Sequence, residues 1–142
     1  MASSGLNPGL GLAILRIVLG IIFIAHGWPK LAGGMAETVG MFDSLGIPAP
    51  TLAAWFIALL ETFGGLLLVV GFLVTPVAAL FIAHMVTGIF LVHVPNGFYV
   101  IGPGSGGYEL NLALAAAALT LILAGSGRWA LQDRFRREII EA

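Results

Sequence analysis

Cysteine is absent from this 142-residue chain, and charged residues make up only 9% of it. Without cysteine the chain has no disulfide framework, thiol nucleophile, cysteine-ligated iron–sulfur cluster or CxxC redox motif. Soluble domains carry about 25% charged residues, so this chain has too little charge to cover a water-facing surface. Its hydrophobic fraction of 59% therefore predicts an integral membrane protein in contact with the lipid bilayer.

A surplus of positive charge is also missing. Six lysines and arginines are set against seven acidic residues, which gives a formal net charge of -1, and a nucleic acid is therefore not expected as a partner. The first residues, MASSGLNPGLG, include no basic residue, whereas a cleavable signal peptide begins with a positively charged region. We therefore expect the first apolar helix to be retained.

Four long apolar segments follow one another along the chain, each near the ~20 residues that cross a bilayer core. They cover approximately residues 10–28, 52–72, 76–94 and 108–124. Thr75 precedes Pro76 and is predicted to cap the third segment. We therefore expect an all-α membrane protein, a four-transmembrane-helix bundle in a single domain over residues 1–142.

The connections between these segments differ in length. Only a tight turn separates the second segment from the third. In the first connection Met35, Val39 and Phe42 recur at helical spacing, which predicts a short amphipathic helix at the membrane interface, with a packed loop as the alternative. The last connection is rich in glycine and predicts turns with a flexible tip.

Basic residues are concentrated in the tail at residues 126–142, whereas the two long connections carry only Lys30. The tail arginines are Arg128, Arg134, Arg136 and Arg137. Because loops on the cytoplasmic side carry the excess of lysine and arginine, we predict a cytoplasmic tail. With four spans the N-terminus lies on the same side, so we expect a multi-pass membrane protein with both termini in the cytoplasm.

Each predicted span carries polar residues. These residues are Arg16 and His26 in the first span, Glu61 in the second, His84 and His93 in the third, and Glu109 and Asn111 in the fourth. Ionisable groups within a membrane protein almost always face the bundle interior and pair with one another. Glycine one turn beyond Arg16, Glu61 and His84 favours the same inward orientation, because small residues let helices approach closely.

The depth of these groups follows from the helical rise of ~1.5 Å per residue. Glu61 and His84 lie near the middle of their spans, and the long side chain of Arg16 can reach toward them. We predict an Arg16–Glu61 ion pair, with Glu109 as the competing partner, at the floor of a polar cavity. The outer part of this cavity is expected to contain His26, Lys30, His93, Glu109 and Asn111.

Other interpretations stay open for these residues. A buried arginine–glutamate pair can simply hold helices in register, and His84 can equally be a hydrogen-bonded bundle histidine. His84 and His93 are nine residues apart, on opposite helix faces, so they cannot share one haem iron. Haem between His26 and His93, or a metal held by both together with Glu109, has no diagnostic spacing, and no bound metal is expected.

Three motifs connect the chain with a known family. They are R-x-x-x-G-x-x-F-x-x-H-G-x-x-K-L from Arg16 to Leu31, G-I-P-A-P at residues 46–50, and E-x-x-G-G-L-L-L-x-x-G-F-L from Glu61 onward. In their order and spacing the chain resembles the DoxX family of small four-helix membrane proteins, over residues 12–124. The resemblance implies a bundle in the cytoplasmic membrane and redox work, since relatives are similar to membrane subunits of thiosulfate:quinone oxidoreductases. It also implies that Arg16, Lys30 and Glu61 occupy the family's polar positions, with His26 and His84 matching less uniformly.

These expectations lead to a functional hypothesis. The chain is predicted to be a membrane oxidoreductase component that binds a quinone, or a similar small apolar molecule, between its helices. Glu61, His84 and Arg16 would hydrogen-bond the polar head and handle protons, while a redox partner protein supplies electrons. Glycine-rich faces also allow a homo-oligomer. The alternative is a non-catalytic module for small-molecule or ion binding or transport, or a membrane scaffold for a soluble enzyme.

Overall fold

The computed structural model describes residues 7–102 and 104–141. Within them the chain forms seven α-helices and no strand: α1 Pro8–Pro29, α2 Met35–Ser44, α3 Pro50–Leu59, α4 Gly65–Val70, α5 Val74–Gly88, α6 Glu109–Ala124 and α7 Leu131–Glu141. Short π-helical segments, whose backbone hydrogen bonds span five residues, lie at Lys30–Gly34, Leu60–Gly64 and Ile89–His93. The predicted domain begins at residue 1 and the predicted tail ends at residue 142, and both of these residues lie outside the described part.

The π-helical segments join neighbouring helices into longer apolar spans. α3 and α4 form one span, Pro50–Val70, of 21 residues, and α5 continues into Val74–Asn96, a span of 23 residues. α1 and α2 follow one another within Pro8–Ser44 but are separated by a kink at Gly33, and α6 is shorter, with 16 residues. α1 packs against α4, and α5 packs against α6. The prediction of an all-α membrane bundle is thereby confirmed.

The two ends of the bundle differ in structure. The terminal end contains the start of α1, the turn between α4 and α5, and residues 125–133; the loop end contains α2 and residues 94–108. Between these ends Phe23 and Phe81 stack, with ring centroids 3.6 Å apart and ring planes 1° from parallel. Leu19, Leu68 and Leu121 are buried in the same cluster. The apolar core therefore separates the two ends.

The buried face of α1 includes Arg16 and Gly20, which were predicted to point inward. Its buried residues are Ala13, Arg16, Leu19, Gly20, Phe23 and Gly27. A Cβ added at Gly27 would lie 2.6 Å from the backbone nitrogen of Thr62 and 2.7 Å from the Cβ of Glu61. Only glycine allows this approach, so α1 and the segment Leu60–Gly64 meet in one defined register.

The C-terminal helix α7 docks on the terminal end. Its Gln132 side chain accepts a hydrogen bond from the backbone N–H of Val74 at 3.1 Å, and its backbone N–H donates to the carbonyl of Gly71 at 3.0 Å. The predicted Thr75 cap is wrong, because α5 begins at Val74, two residues before the predicted start at Pro76, and Gln132 accepts from the Val74 N–H. The tail thus provides the hydrogen-bond acceptor for the first backbone N–H of α5.

The first connection contains the predicted amphipathic helix, as α2. It buries Thr38 and Phe42 and packs against α3. The chain turns toward it at Gly33, whose φ of 144° is a conformation that side-chain-bearing residues rarely adopt. Helix formation at these residues is therefore confirmed, while its position at a membrane interface stays a prediction.

The last connection, between α5 and α6, folds back on itself. The backbone N–H groups of Gly107 and Glu109 donate to the carbonyls of Tyr99 and Phe98, at 2.9 Å and 3.0 Å. Positive φ angles occur at Gly97, Gly102, Gly104 and Gly106. The predicted glycine-based turns are present, and they form a loop that closes against its own start.

Candidate functional site

A cavity of about 450 Å³ lies at the loop end, between α1, α2, α3, α5 and α6. Its walls are mainly apolar and include Phe23, Phe42, Phe56, Ile57, Met85 and Leu114. Its polar candidates are His26, Lys30, Glu61, His84, His93 and Asn111. Six of the eight residues singled out from the sequence therefore meet around one space.

Glu61 is the centre of the polar network in this cavity. Its Oε2 forms an ion pair with the Lys30 ammonium, and its Oε1 accepts a hydrogen bond from His84 Nε2 at 2.9 Å. The Glu61 side chain is 6% exposed, against 22% for Lys30 and 17% for His84. The carboxylate is thus less exposed than the two basic groups, and each of its oxygens accepts a hydrogen bond.

The close contact between α1 and Leu60–Gly64 assembles this network. Gly27 touches the backbone beside Glu61, and Lys30 follows Gly27 by three residues on the same helical run. Residues three apart on a helix lie on the same face. The missing side chain at Gly27 therefore allows the Lys30 ammonium to reach the Glu61 carboxylate.

All three π-helical segments contribute a polar residue to the cavity. Lys30 is the first residue of one segment, Glu61 the second residue of another, and His93 the last residue of the third. π-Helical turns shift the side chains that follow them to a different face and are frequent at functional sites. Regular helical periodicity gives no indication of them. The available signals were the glycine pairs at residues 33–34 and 64–65.

The predicted Arg16–Glu61 ion pair is wrong. Arg16 is 1% exposed and lies at the terminal end. Its guanidinium donates to four backbone carbonyls, those of Leu68 at 2.5 Å, Val69 at 2.9 Å, Ser126 at 2.9 Å and Arg128 at 3.2 Å.

Helix geometry explains this choice of partners. Glu61 lies beside Gly27, which is eleven residues beyond Arg16 and so about 16 Å further along α1. The C-terminal carbonyls of a helix carry partial negative charge. The end of α4 therefore supplies acceptors at the depth where Arg16 lies, and no carboxylate is needed there.

Glu109 also departs from its predicted roles as the competing partner of Arg16 and as a cofactor-binding residue. Its Oε1 accepts a hydrogen bond from the backbone N–H of Val100 at 2.8 Å, and it is not part of the cavity wall. His93, which does line the cavity, donates from Nδ1 to the carbonyl of Gly106 at 2.6 Å. Both side chains hold the folded-back loop in place.

The remaining polar residues lie around the outer part of the cavity. His26 donates from Nδ1 to the carbonyl of Ile22 at 2.8 Å. Asn111 lies against Gly88, where an added Cβ would be 3.1 Å from its amide nitrogen. Within residues 7–102 and 104–141, no three histidine, aspartate or glutamate side chains form a group that could hold a metal ion. The metal site considered for His26, His93 and Glu109 therefore has no structural support.

Several apolar wall residues were missed by sequence reasoning. Met41, Phe42 and Ile47 reach the cavity from α2 and the turn after it. The sequence predicted a helix here but not its neighbours, and α2 turns its apolar side toward α3 and the cavity. The detectable signal was the spacing of Met35, Val39 and Phe42, which indicates an apolar helix side that needs a packing partner.

Apolar packing closes the cavity toward the terminal end. Phe23 forms part of the wall, and Phe81 stacks behind it with no exposed surface. In the part of the chain that the structure describes, no series of side-chain hydrogen bonds joins the Glu61 network to Arg16. The two polar centres are therefore separate.

Comparisons with known proteins agree with this architecture. The DoxX family model matches residues 11–94. "Inner membrane protein YphA" of Escherichia coli is 34% identical over 125 residues, which cover 87% of this chain and 89% of YphA. "Inner membrane protein YqjF" of the same organism is 39% identical over 74 residues, or 52% of this chain and 54% of YqjF.

One relative carries a biochemical name. "Putative oxidoreductase CatD" of Bacillus subtilis is 39% identical over 72 residues, which cover 51% of this chain and 52% of CatD. No solved structure gives a significant match to the chain.

Proposed function

The chain belongs to the DoxX family and is a multi-pass protein of the plasma membrane, and from this premise we propose that it is a membrane component of a redox system. In this proposal its cavity binds a quinone or a similar small apolar molecule. The observation that carries the proposal is an apolar cavity with the Lys30–Glu61–His84 network on one wall.

The size and lining of the cavity support a small organic ligand. Ligand sites typically measure about 300–1,000 Å³ and combine apolar walls with a few well-placed polar groups. The volume of about 450 Å³ lies within this range. Aromatic walls from Phe42 and Phe56 suit a flat apolar ring, and the basic groups of Lys30 and His84 suit its oxygen substituents.

The redox part of the proposal rests on the name of CatD and on the proton-carrying groups of the cavity. A bound quinone would supply the electron-accepting chemistry. Lys30 would hold a proton next to its oxygens, and His84 would accept the hydroxyl hydrogen of its reduced form, while Glu61 keeps both groups in place. Electrons would come from a redox partner protein. Arg16 has no part in this proposal, because its guanidinium donates hydrogen bonds to backbone carbonyls at the other end of the bundle.

A transport pathway is less well supported than a binding site. A pathway for ions needs polar groups on both sides of the membrane core, whereas the Phe23–Phe81 stack and its leucine neighbours close the cavity from the terminal end. The non-catalytic alternative is therefore best stated as small-molecule binding without redox chemistry. Quinone-linked electron transfer in membranes distinguishes this alternative from the redox proposal.

Binding of 1,4-naphthoquinone to the purified protein in lipid nanodiscs tests the proposal. We expect saturable binding that is lost in Ala53→Phe, because Ala53 lines the cavity and a phenyl ring there would fill it. Ala113→Phe, on the exposed side of α6, is the matched control and should bind normally. Absence of saturable binding of both 1,4-naphthoquinone and 1-naphthol to the wild-type protein would overturn the proposal. Binding without any quinone-linked electron transfer in membranes, compared with membranes lacking the protein, would leave the non-catalytic alternative.

A further inference from the structure

The structure assigns a preferred ligand class to the cavity: an aromatic molecule with a hydroxyl hydrogen, such as a phenol or a hydroquinone, is preferred over one with only carbonyl or ether oxygens. We propose that the Nδ1 atom of His84 is the acceptor for this hydrogen and that Glu61 determines the preference. The inference rests on the proposed function, since it requires that the cavity binds a small molecule.

The hydrogen-bond chemistry of His84 follows from its partner. Glu61 is ion-paired with Lys30, and a carboxylate can only accept hydrogen bonds. His84 Nε2, at 2.9 Å from Glu61 Oε1, must therefore carry a hydrogen. In a neutral imidazole the other nitrogen is then the acceptor. Glu61 thus fixes the tautomer that leaves a lone pair on Nδ1.

The position of Nδ1 makes it available to a ligand. His84 lines the cavity, and its Nδ1 takes no part in any hydrogen bond within residues 7–102 and 104–141. Among the described side chains, Thr62 Oγ1 is the fully buried polar atom without a partner; His84 Nδ1 is not enclosed in this way. Because His84 lines the cavity, we take a ligand bound there as the partner of Nδ1.

Two other cavity histidines also present a lone pair in their neutral forms, but on Nε2 instead of Nδ1. His26 and His93 each donate from Nδ1 to a backbone carbonyl, so in their neutral forms Nε2 carries the lone pair. Lys30 is the basic group that donates, and it can donate equally to a hydroxyl, carbonyl or ether oxygen. Lys30 therefore does not discriminate between these ligands, and we assign the discrimination to His84, whose tautomer Glu61 fixes.

Four probes of similar size measure this preference: 1-naphthol, 1-methoxynaphthalene, 1,4-naphthoquinone and naphthalene. 1-Naphthol and 1-methoxynaphthalene can both accept from Lys30, and only 1-naphthol can donate to His84. An acceptor that loses its hydrogen-bond partner is left with an unfavourable desolvation free energy. At about pH 8 we expect the wild-type protein to bind 1-naphthol about tenfold more tightly than its methyl ether.

Glu61→Gln distinguishes control of the His84 tautomer by Glu61 from a purely structural role of Glu61. Because Lys30 can only donate, the amide oxygen of the new glutamine would face Lys30 and its NH₂ group would face His84. His84 Nε2 must then accept, and the hydrogen moves to Nδ1. The ratio of 1-naphthol to 1-methoxynaphthalene affinity should fall to about one, and 1,4-naphthoquinone should bind more tightly than to the wild-type protein. A merely weakened fold would reduce binding of all four probes together.

His84→Phe keeps the Lys30–Glu61 ion pair and supplies a second route if Glu61→Gln does not fold. It should also reduce the ratio to about one, while naphthalene binding persists. His93→Phe is the matched control, and the tenfold ratio should survive in it. Loss of the ratio in His93→Phe but not in His84→Phe would overturn the assignment, as would a wild-type ratio near one with all probes bound. Failure of all four probes to bind would instead overturn the proposed function.

Discussion

Gly20 of α1 and Gly65 of α4 lie in contact across the interface between their helices. A Cβ added at Gly20 would be 2.5 Å from the carbonyl oxygen of Gly65, and one at Gly65 would be 2.6 Å from the carbonyl oxygen of Gly20. Real Cβ atoms do not approach backbone oxygens so closely, and neither backbone can give way without moving its helix. This contact and that of Gly27 set the register that brings α1 to Glu61.

Gly20→Ala should therefore destabilise the protein by about 1–3 kcal/mol, the usual cost of overpacking, measured by thermal unfolding in detergent. Gly11→Ala is the matched control on the same helix, because an added Cβ there has nothing within 4 Å. Alanine is the better helix former, so this control should be neutral or slightly stabilising. Equal effects of the two variants would show that the α1–α4 contact does not restrict side-chain size.

Arg16→Lys should lower stability by about 2 kcal/mol or more, because lysine cannot reproduce the planar set of donors that serves four carbonyls. Arg136, which is exposed on α7, provides the control Arg136→Lys, with little expected effect. Affinity for 1,4-naphthoquinone should be unchanged in folded Arg16→Lys protein, since the cavity lies at the other end. A specific loss of affinity at unchanged stability would contradict the separation of the two polar centres.

Lys30 and Glu61 should be energetically coupled. Lys30→Met leaves a buried carboxylate with His84 as its remaining partner, and breaking a buried pair in this way costs about 3 kcal/mol. Adding Glu61→Leu removes the unpaired charge, so the double variant should be more stable than Lys30→Met alone. A double-mutant cycle from denaturation in detergent measures the coupling, expected at about 1–3 kcal/mol. Additive effects would mean that the ion pair contributes nothing specific.

Phe81→Ala should cost about 3–5 kcal/mol, as for other fully buried aromatic residues, because it removes the ring that stacks on Phe23. Phe90→Ala is the comparison, since Phe90 is 70% exposed on the continuation of the same helix, and its effect should be small. The Phe81 variant should also enlarge the cavity toward the core and admit a bulkier ligand than the wild-type protein does. Identical ligand-size limits in both variants would argue against Phe81 as the closing wall.

Much of the fold was predictable because membrane helices show a strong sequence signal. A helix that crosses a bilayer must be apolar and long, so the four segments and the buried face of α1 stand out without any contact information. The same constraint makes Glu61 and His84 conspicuous, and they do meet. Even the helix α2 was indicated by the spacing of Met35, Val39 and Phe42.

The partner of each polar group was not predictable in the same way. Arg16 binds backbone carbonyls, which every residue has, so the sequence carries no mark of its partners. Lys30 reaches Glu61 because Gly27 permits a close approach between α1 and the segment Leu60–Gly64. This approach depends on the register between two helices. Depth estimates from residue counts cannot provide that register.

The partners of Arg16 have a consequence for the order in which the protein is made. Leu68 and Val69 lie 52 and 53 residues after Arg16 in the chain, and Ser126 and Arg128 lie 110 and 112 residues after it. A ribosome delivers the N-terminal segment first, so the arginine enters the membrane long before its last two acceptors exist. Until residues 126–128 have been made, the Arg16 guanidinium therefore lacks two of its four acceptors, and their synthesis is required before its hydrogen bonds can be completed.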